Sequence, residues 1–316
     1  MDTIRIATAQ YPIEFLGSWQ AYTEKVQRLV GEAAAQGARL LVLPEYASLE
    51  LASLFSRQVY SSLPAQLEAV QELFPHFLAL FGELARRHDA YLLAGTFPVR
   101  LEDGSYRNRA YLFGPEGKRG FQDKRVMTRF ENERWRIQAG MDTKVFDTPM
   151  GHLAINVCYD SEFPLIARAQ VAAGASVVLV PSCTDTLAGY HRVRIGCQAR
   201  ALENQCYVIQ SCTVGEAPWS EAIDVNVGCA AVYTPADCGF PDDGILAIGQ
   251  MNRAQWVFAD LQPKLIEQVR REGQVFNYRD WVCQPGAATG EVGEVEVVTD
   301  RRPQPGQEPW RGRAST

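Results

Sequence analysis

The chain predicts an α/β fold of two mixed β-sheets packed face to face with helices on both outer surfaces, a four-layer α-β-β-α sandwich. Strand and helix periodicities alternate through residues 3–262. Several strands, among them Leu40-Leu41-Val42-Leu43 and Val177-Val178-Leu179-Val180, are unbroken apolar runs, as parallel strands covered on both faces are. About ten to twelve strands against four or five helices carry more apolar surface than one small sheet can bury, so two sheets must cover each other.

Each element has its own signal. Ile4, Ile6, Thr8 and Gln10 alternate with Arg5, Ala7 and Ala9 in a first strand. Tyr22, Val26, Leu29, Val30 and Ala33 then fall at helical spacing, Gly37 closes the helix, and residues 39–43 form a buried strand ending in Pro44-Glu45. A long helical stretch, 61–88, leads to the strand Tyr91–Thr96. Residues 108–114 and 119–124 flank the turn Pro115-Glu116-Gly117 as a hairpin, and a second hairpin joins 144–147 to 152–155. After Cys158 come a helix over 164–173, a strand over 176–181, a helix over 190–204 and a strand from Cys206 to Cys212. Three short strands follow near 228–234, 245–249 and 255–261. The strand ending Pro44-Glu45 and the strand ending Pro181-Ser182 read as counterparts in two similar halves. One domain over 1–284 is expected, with a Pro- and Gly-rich arm or disordered tail over 285–316.

Composition excludes several function classes. The 316 residues are 47% hydrophobic and 22% charged, an ordinary globular balance. A net charge of −6 without a basic cluster argues against a nucleic-acid partner. No run reaches the roughly 18 apolar residues a membrane span needs, and the first residues lack a signal-peptide pattern, so a soluble, cytoplasmic protein is expected. Eight cysteines include no Cys-x-x-Cys pair, and no histidine pair has zinc spacing, so reduced core thiols are expected rather than a metal site.

One thiol stands apart. Cys158 ends the run Leu153-Ala154-Ile155-Asn156-Val157 and precedes a turn and a proline-initiated helix at Pro164. That is the thiol counterpart of the strand-to-helix elbow that displays nucleophilic serines. Free N–H groups and the helix dipole there favour the thiolate. Glu45, Lys124 and Ser182-Cys183 also stand at strand ends, where ligands of α/β sheets collect. A cysteine–histidine pair is a poor alternative: His152 lies six residues upstream on the same strand, about 20 Å away. His191 is a weaker candidate than Glu45 for activating the thiol.

Leu43-Pro44-Glu45-Tyr46, then Lys124, then Ile155-Asn156-Val157-Cys158-Tyr159-Asp160-x-x-Phe163-Pro164 resemble the motifs of the nitrilase superfamily, the carbon–nitrogen hydrolases. Val180-Pro181-Ser182 and Arg200-Ala201-Leu202-Glu203-Asn204 extend the resemblance, which covers about residues 3–262. It implies a nitrilase-like sandwich in which Glu45 is the general base, Lys124 the electrostatic stabiliser and Cys158 the nucleophile. It also implies a second glutamate seven residues before a glycine. Glu133 stands seven before Gly140 and is preferred to Glu131. Substrate contacts are expected from Tyr46, Tyr159, Asp160, Cys183, Thr184 and Arg192.

The implied activity is hydrolysis of a small linear amide through a cysteine thioester, with no metal or organic cofactor, in a homodimer or higher homo-oligomer. A nitrilase or an N-carbamoyl amidohydrolase would use the same residues, and a silent scaffold retaining the fold is the alternative from another class. The chain departs from the family where Leu165 replaces the usual glutamate after Phe163-Pro164. It departs again in 183–194, which lacks the family's His-Trp pair. In that stretch Arg192 or Arg194, like Arg129, suits a substrate carboxylate, whereas Asp185 suits an amine.

Overall fold

Successive side chains of the first strands enter two different cores, which sets the layers of the fold. The computed structural model describes residues 3–289. In chain order the elements begin with β1 (Ile4–Pro12), α1 (Trp19–Ala35), β2 (Leu40–Leu43), α2 (Arg57–Tyr60), α3 (Leu63–Ala69), α4 (Phe74–Arg87), β3 (Tyr91–Arg100), β4 (Tyr106–Phe113) and β5 (Arg119–Asp123). There follow β6 (Ile137–Gln138), β7 (Val145–Thr148), β8 (Gly151–Ile155), α5 (Pro164–Ala172), β9 (Val177–Ser182), α6 (Leu187–Asn204) and β10 (Tyr207–Glu216). The last are β11 (Val225–Asn226), β12 (Ala231–Tyr233), β13 (Ile245–Ile248), β14 (Gln255–Leu261) and α7 (Pro263–Glu272). All belong to the compact unit that ends at Arg279. The C-terminal unit, from Asp280, includes the short 3-10 turn Trp281–Cys283. Of the arm expected over 285–316, residues 290–316 lie outside the described residues.

The strands form one continuous ladder, yet it reads as two six-stranded sheets, β5-β4-β3-β2-β1-β14 and β7-β8-β9-β10-β12-β13. The ladder passes from one to the other where Gln10–Pro12 pairs in parallel with Cys212–Val214. In the first sheet Ala7, Ala9, Leu41, Leu43, Leu92 and Ala94 face α1 and α4. Their neighbours Ile4, Ile6, Leu40, Val42 and Leu93 face the second sheet. Helices α5 and α6 add Val171, Val193, Cys197 and Ala201 on the far side. The four expected layers are present.

The expected internal repeat is present too. Each sheet has three parallel central strands, β1-β2-β3 and β8-β9-β10. One antiparallel strand flanks one side of each trio and two flank the other. Strands β2 and β9, which carry Pro44-Glu45 and Pro181-Ser182 at their ends, are both the middle strand of their trio.

Several boundaries differ from expectation. The single helix over 61–88 is split into α3, a 3-10 turn and α4, because Pro75 can be accommodated only in the first turn of a new helix. Helix α6 starts earlier, at Leu187, where the Thr186 hydroxyl accepts the Gly189 N–H. The two-residue strands β6 and β11 and helix α7 were not anticipated. Among the described residues no helix is long and apolar enough to cross a membrane.

Candidate active site

Cys158 stands in the sharp turn between β8 and α5, at the head of a 3-10 turn, Cys158–Glu162. Its φ of +48° is the left-handed conformation that a non-glycine residue adopts only when its surroundings enforce it. Asp160 supplies the enforcement. Its buried carboxylate accepts the N–H of Val157 at 3.1 Å, of Arg125 at 3.0 Å and of Val126 at 2.8 Å, tying the cysteine turn to the segment that follows Lys124. Burial raises the Asp160 carboxyl to about 7, partly offset by Lys124 and these donors. Asp160 therefore lies behind the turn and does not line the cavity, contrary to its expected place at the substrate.

Glu45 follows β2, whose Leu41 and Leu43 are fully buried and contribute roughly 1.5–3 kcal/mol each. Tyr46, with φ +57°, turns the chain sharply, and its N–H is held by the Thr96 hydroxyl at 2.9 Å. The bulge in β3 that presents Thr96 depends on Gly95, with φ +67°. A Cβ on Gly95 would sit 2.1 Å from the Pro44 carbonyl oxygen, one residue from Glu45. Gly95→Ala is therefore expected to cost roughly 2–4 kcal/mol, from left-handed strain and the clash together. It should also lower kcat, because relief of the clash moves Glu45; thermal unfolding and turnover of the variant check both effects.

Lys124 follows β5 directly and is fully buried. Its ammonium donates to Glu45 Oε1 at 2.8 Å and to Glu131 Oε2 at 2.7 Å. The second carboxylate on the lysine is thus Glu131. The expected Glu133 lies on the surface, paired at 2.8 Å with the exposed Arg129. Gly140 is adjacent to Lys124, donating its N–H to the lysine carbonyl at 2.8 Å. Between Glu131 and that glycine, however, lies a π-helical stretch, Glu131–Trp135, closed by Arg136 in the left-handed conformation. An offset counted back across this irregular stretch lands on the wrong glutamate. A better signal was in the sequence: Thr128-Arg129-Phe130-Glu131 is a capping box. Thr128 Oγ1 accepts the Glu131 N–H at 3.3 Å, and Glu131 Oε2 accepts the Thr128 N–H at 2.9 Å.

The two carboxylates are electrostatically unlike. Burial would raise Glu131, but Lys124, Tyr46 OH at 2.6 Å and the Thr128 donors outweigh it, and its carboxyl is held below the usual range. Glu45 is raised, by burial first and by the Glu131 charge, with Lys124 only partly compensating. Lys124 is held well above its ordinary value, the two glutamates overcoming the burial that would lower it. Burial and the Glu45 charge raise the Cys158 thiol well above its ordinary value despite Lys124. Full burial beside a carboxylate thus works against the expected thiolate, and the N–H groups of a five-residue 3-10 turn do not offset it.

Glu45, Lys124, Glu131 and Cys158 share the floor of a cavity of about 550 Å³. Tyr46, Tyr159, Cys183, Thr184 and Arg192 line it as expected. Arg192, 63% exposed, lies at the mouth 3.7 Å from Glu162, whereas Arg194 and His191 are not among the lining residues. Cys183 contributes its backbone most directly: its N–H donates to Glu45 Oε2 at 3.0 Å, and its carbonyl accepts from Cys158 Sγ at 3.7 Å. Burial pushes the Cys183 thiol up to about 12.

Sequence reasoning missed Trp135, whose ring packs 5.0 Å from that of Tyr46, and Asn108, which touches both glutamates. Asn108 had a visible signal. It shares a strand face with Ala110 and Leu112, where a third aliphatic residue would otherwise be expected.

Residues 5–271 match the family model described as carbon-nitrogen hydrolase. The chain is 34% identical over 277 residues to the probable hydrolase YhcX of Bacillus subtilis, an alignment that covers 88% of this chain. It spans only 53% of that relative's length. Human omega-amidase NIT2 is 24% identical over 291 residues, covering 88% of this chain and 96% of that protein. Among solved structures, a carbon-nitrogen hydrolase from Helicobacter pylori G27 superposes with a TM-score of 0.70 at 20% identity, over 85% of this chain and 92% of that one. An amidase mutant from Nesterenkonia sp. AN1, showing covalent addition of the acetamide moiety of fluoroacetamide at the active site cysteine, gives a TM-score of 0.62 at 23% identity. It covers 85% of this chain and 94% of that one.

Proposed function

Because the chain belongs to the carbon–nitrogen hydrolase family, we propose that it hydrolyses a small linear amide through a thioester on Cys158. The observation that carries this reading is the convergence of the Glu45 carboxylate, the Lys124 ammonium and the Cys158 sulfur on one cavity floor. Glu45 takes the thiol proton as sulfur attacks the amide carbon. Lys124 and the Tyr159 N–H hold the oxyanion. Glu45 then passes its proton to the leaving nitrogen, and ammonia or an amine departs. Glu45 next deprotonates a water that attacks the thioester carbon, and collapse returns the thiol and a carboxylic acid. Glu131 keeps Lys124 charged and in place.

The omega-amidase names of several relatives and the placement of Arg192 at the cavity mouth favour an amide whose far end carries a carboxylate. A panel of amides, nitriles and N-carbamoyl compounds, read by intact-protein mass, tests the reading. Acyl adducts on Cys158 with ammonia release from amides are expected. Turnover of nitriles or N-carbamoyl compounds alone would replace the amidase reading, and no adduct with any compound would overturn it.

Two further features of the reading have support on the molecule. All eight cysteines are free thiols, which fits a reducing cytoplasm. Leu187, Ile195 and Leu202 are exposed within about 80° of one another around α6, and Leu165 is exposed at the start of the neighbouring α5. Such an apolar stripe fits a homo-oligomeric contact. Sedimentation is expected to give a dimer or larger species, and Ile195→Asp with Leu202→Asp is expected to lower its mass.

A further inference from the structure

Asn108 lies on β4, fully buried beside both glutamates. Its Nδ2 donates to Glu45 Oε1 at 2.8 Å and to Glu131 Oε1 at 3.0 Å. Its backbone carbonyl accepts the backbone N–H of Lys124 at 2.9 Å. One side-chain amide therefore bridges both carboxylates, and the same residue's backbone holds the backbone of Lys124. Its strand is held in register beside Lys124 by the cross-strand pair Arg109–Asp123, at 2.6 and 2.9 Å, with the guanidinium also 3.7 Å from the Phe121 ring.

We propose that Asn108 is a positioning residue that sets the working pH of the base, by donating one amide N–H to each carboxylate and so holding two like charges in place around a single lysine. Lys124 supplies one positive charge to two carboxylates, and each carboxylate disfavours ionisation of the other. A neutral donor shared between them stabilises both anions without adding charge. Of the two, Glu45 is the one whose proton must move, and Glu131 is already saturated by Tyr46, Thr128 and Lys124. The loss of Asn108 therefore falls chiefly on Glu45. Glu45 becomes harder to ionise and free to turn from the sulfur.

This inference rests on the reading of Glu45 as the base for Cys158, and its test does not need the substrate. Iodoacetamide alkylation of Cys158, followed by intact mass between pH 4 and pH 9, reads ionisation of the pair directly. In the wild type the acid limb reports Glu45. In Asn108→Leu, similar in size and without donors, that limb is expected to move up by about one pH unit, with roughly tenfold slower alkylation on the acid side. Asn108→Ser, whose hydroxyl can donate to only one carboxylate, should fall between the two. Folded variants that keep the wild-type limb would overturn the proposal. Loss of the fold in both would make Asn108 a packing residue and overturn it equally. A wild-type protein that shows this profile yet releases no ammonia from any amide would count against the hydrolytic reading while leaving the role of Asn108 standing.

Discussion

Cys158→Ala is expected to abolish amide turnover, by at least about 10⁴-fold, with little change in stability. No other thiol of the cavity can replace it: Cys183 points its sulfur at Asn226 Oδ1, 3.4 Å away, and burial holds its proton firmly. Removing the proposed nucleophile leaves only binding and the oxyanion donors. Glu45→Gln is expected to lose about 10²- to 10⁴-fold, the range a positioned acid–base supplies, and to retain the acyl adduct of an activated substrate because water is no longer deprotonated. The two variants also separate in pH dependence. The Glu45 carboxyl is raised, so the base form is lost as pH falls through a value above the ordinary carboxylate range. The wild-type acid limb of kcat/KM should accordingly lie above that range. The Cys158 thiol, being raised as well, should contribute no limb near its ordinary value. Glu45→Gln should erase the acid limb altogether. A limb unchanged in Glu45→Gln would transfer the role of base to another group.

The elements most readable in the sequence are those fixed by apolar pattern and strand-end chemistry. Leu40–Leu43 reads as a doubly covered strand, and a glutamate at its end is placed where it could meet whatever the neighbouring strand ends carry. The same logic made Cys158, Cys183 and Lys124 candidates, and the resemblance to the nitrilase-superfamily motifs singled out Glu45, Lys124 and Cys158. What escaped was set by irregular backbone. Pro75 divided one helical pattern into two, and the π-helical stretch at Glu131–Trp135 defeated counting from Gly140. The thiol's protonation was misjudged because helix-end electrostatics is visible in a sequence, whereas full burial beside Glu45 is a property of the packed molecule. Asn108 was passed over for a related reason: a polar residue on a core face has meaning only once its partners are known.

The difference between Glu131 and Glu133 gives the second large effect. Glu131→Gln replaces a buried anion that accepts from Lys124, Tyr46, Asn108 and Thr128, and its amide turns an N–H toward groups that are themselves donors. Breaking a buried pair in this way costs about 3–5 kcal/mol. With Lys124 less firmly aimed, kcat is expected to fall about 10²- to 10³-fold, as when one oxyanion donor is lost. Glu133→Gln removes a surface pair with Arg129, both partners more than half exposed, and is expected to change stability by less than about 1 kcal/mol and to leave activity near the wild type. A general loss of fold could mimic the first result, so the acid limb is the decisive measurement. The Glu131 charge raises Glu45, and its removal should shift the limb of the residual activity to lower pH. Destabilisation alone would leave that limb in place. Loss of activity in Glu133→Gln with a normal Glu131→Gln would reverse the assignment of the second carboxylate.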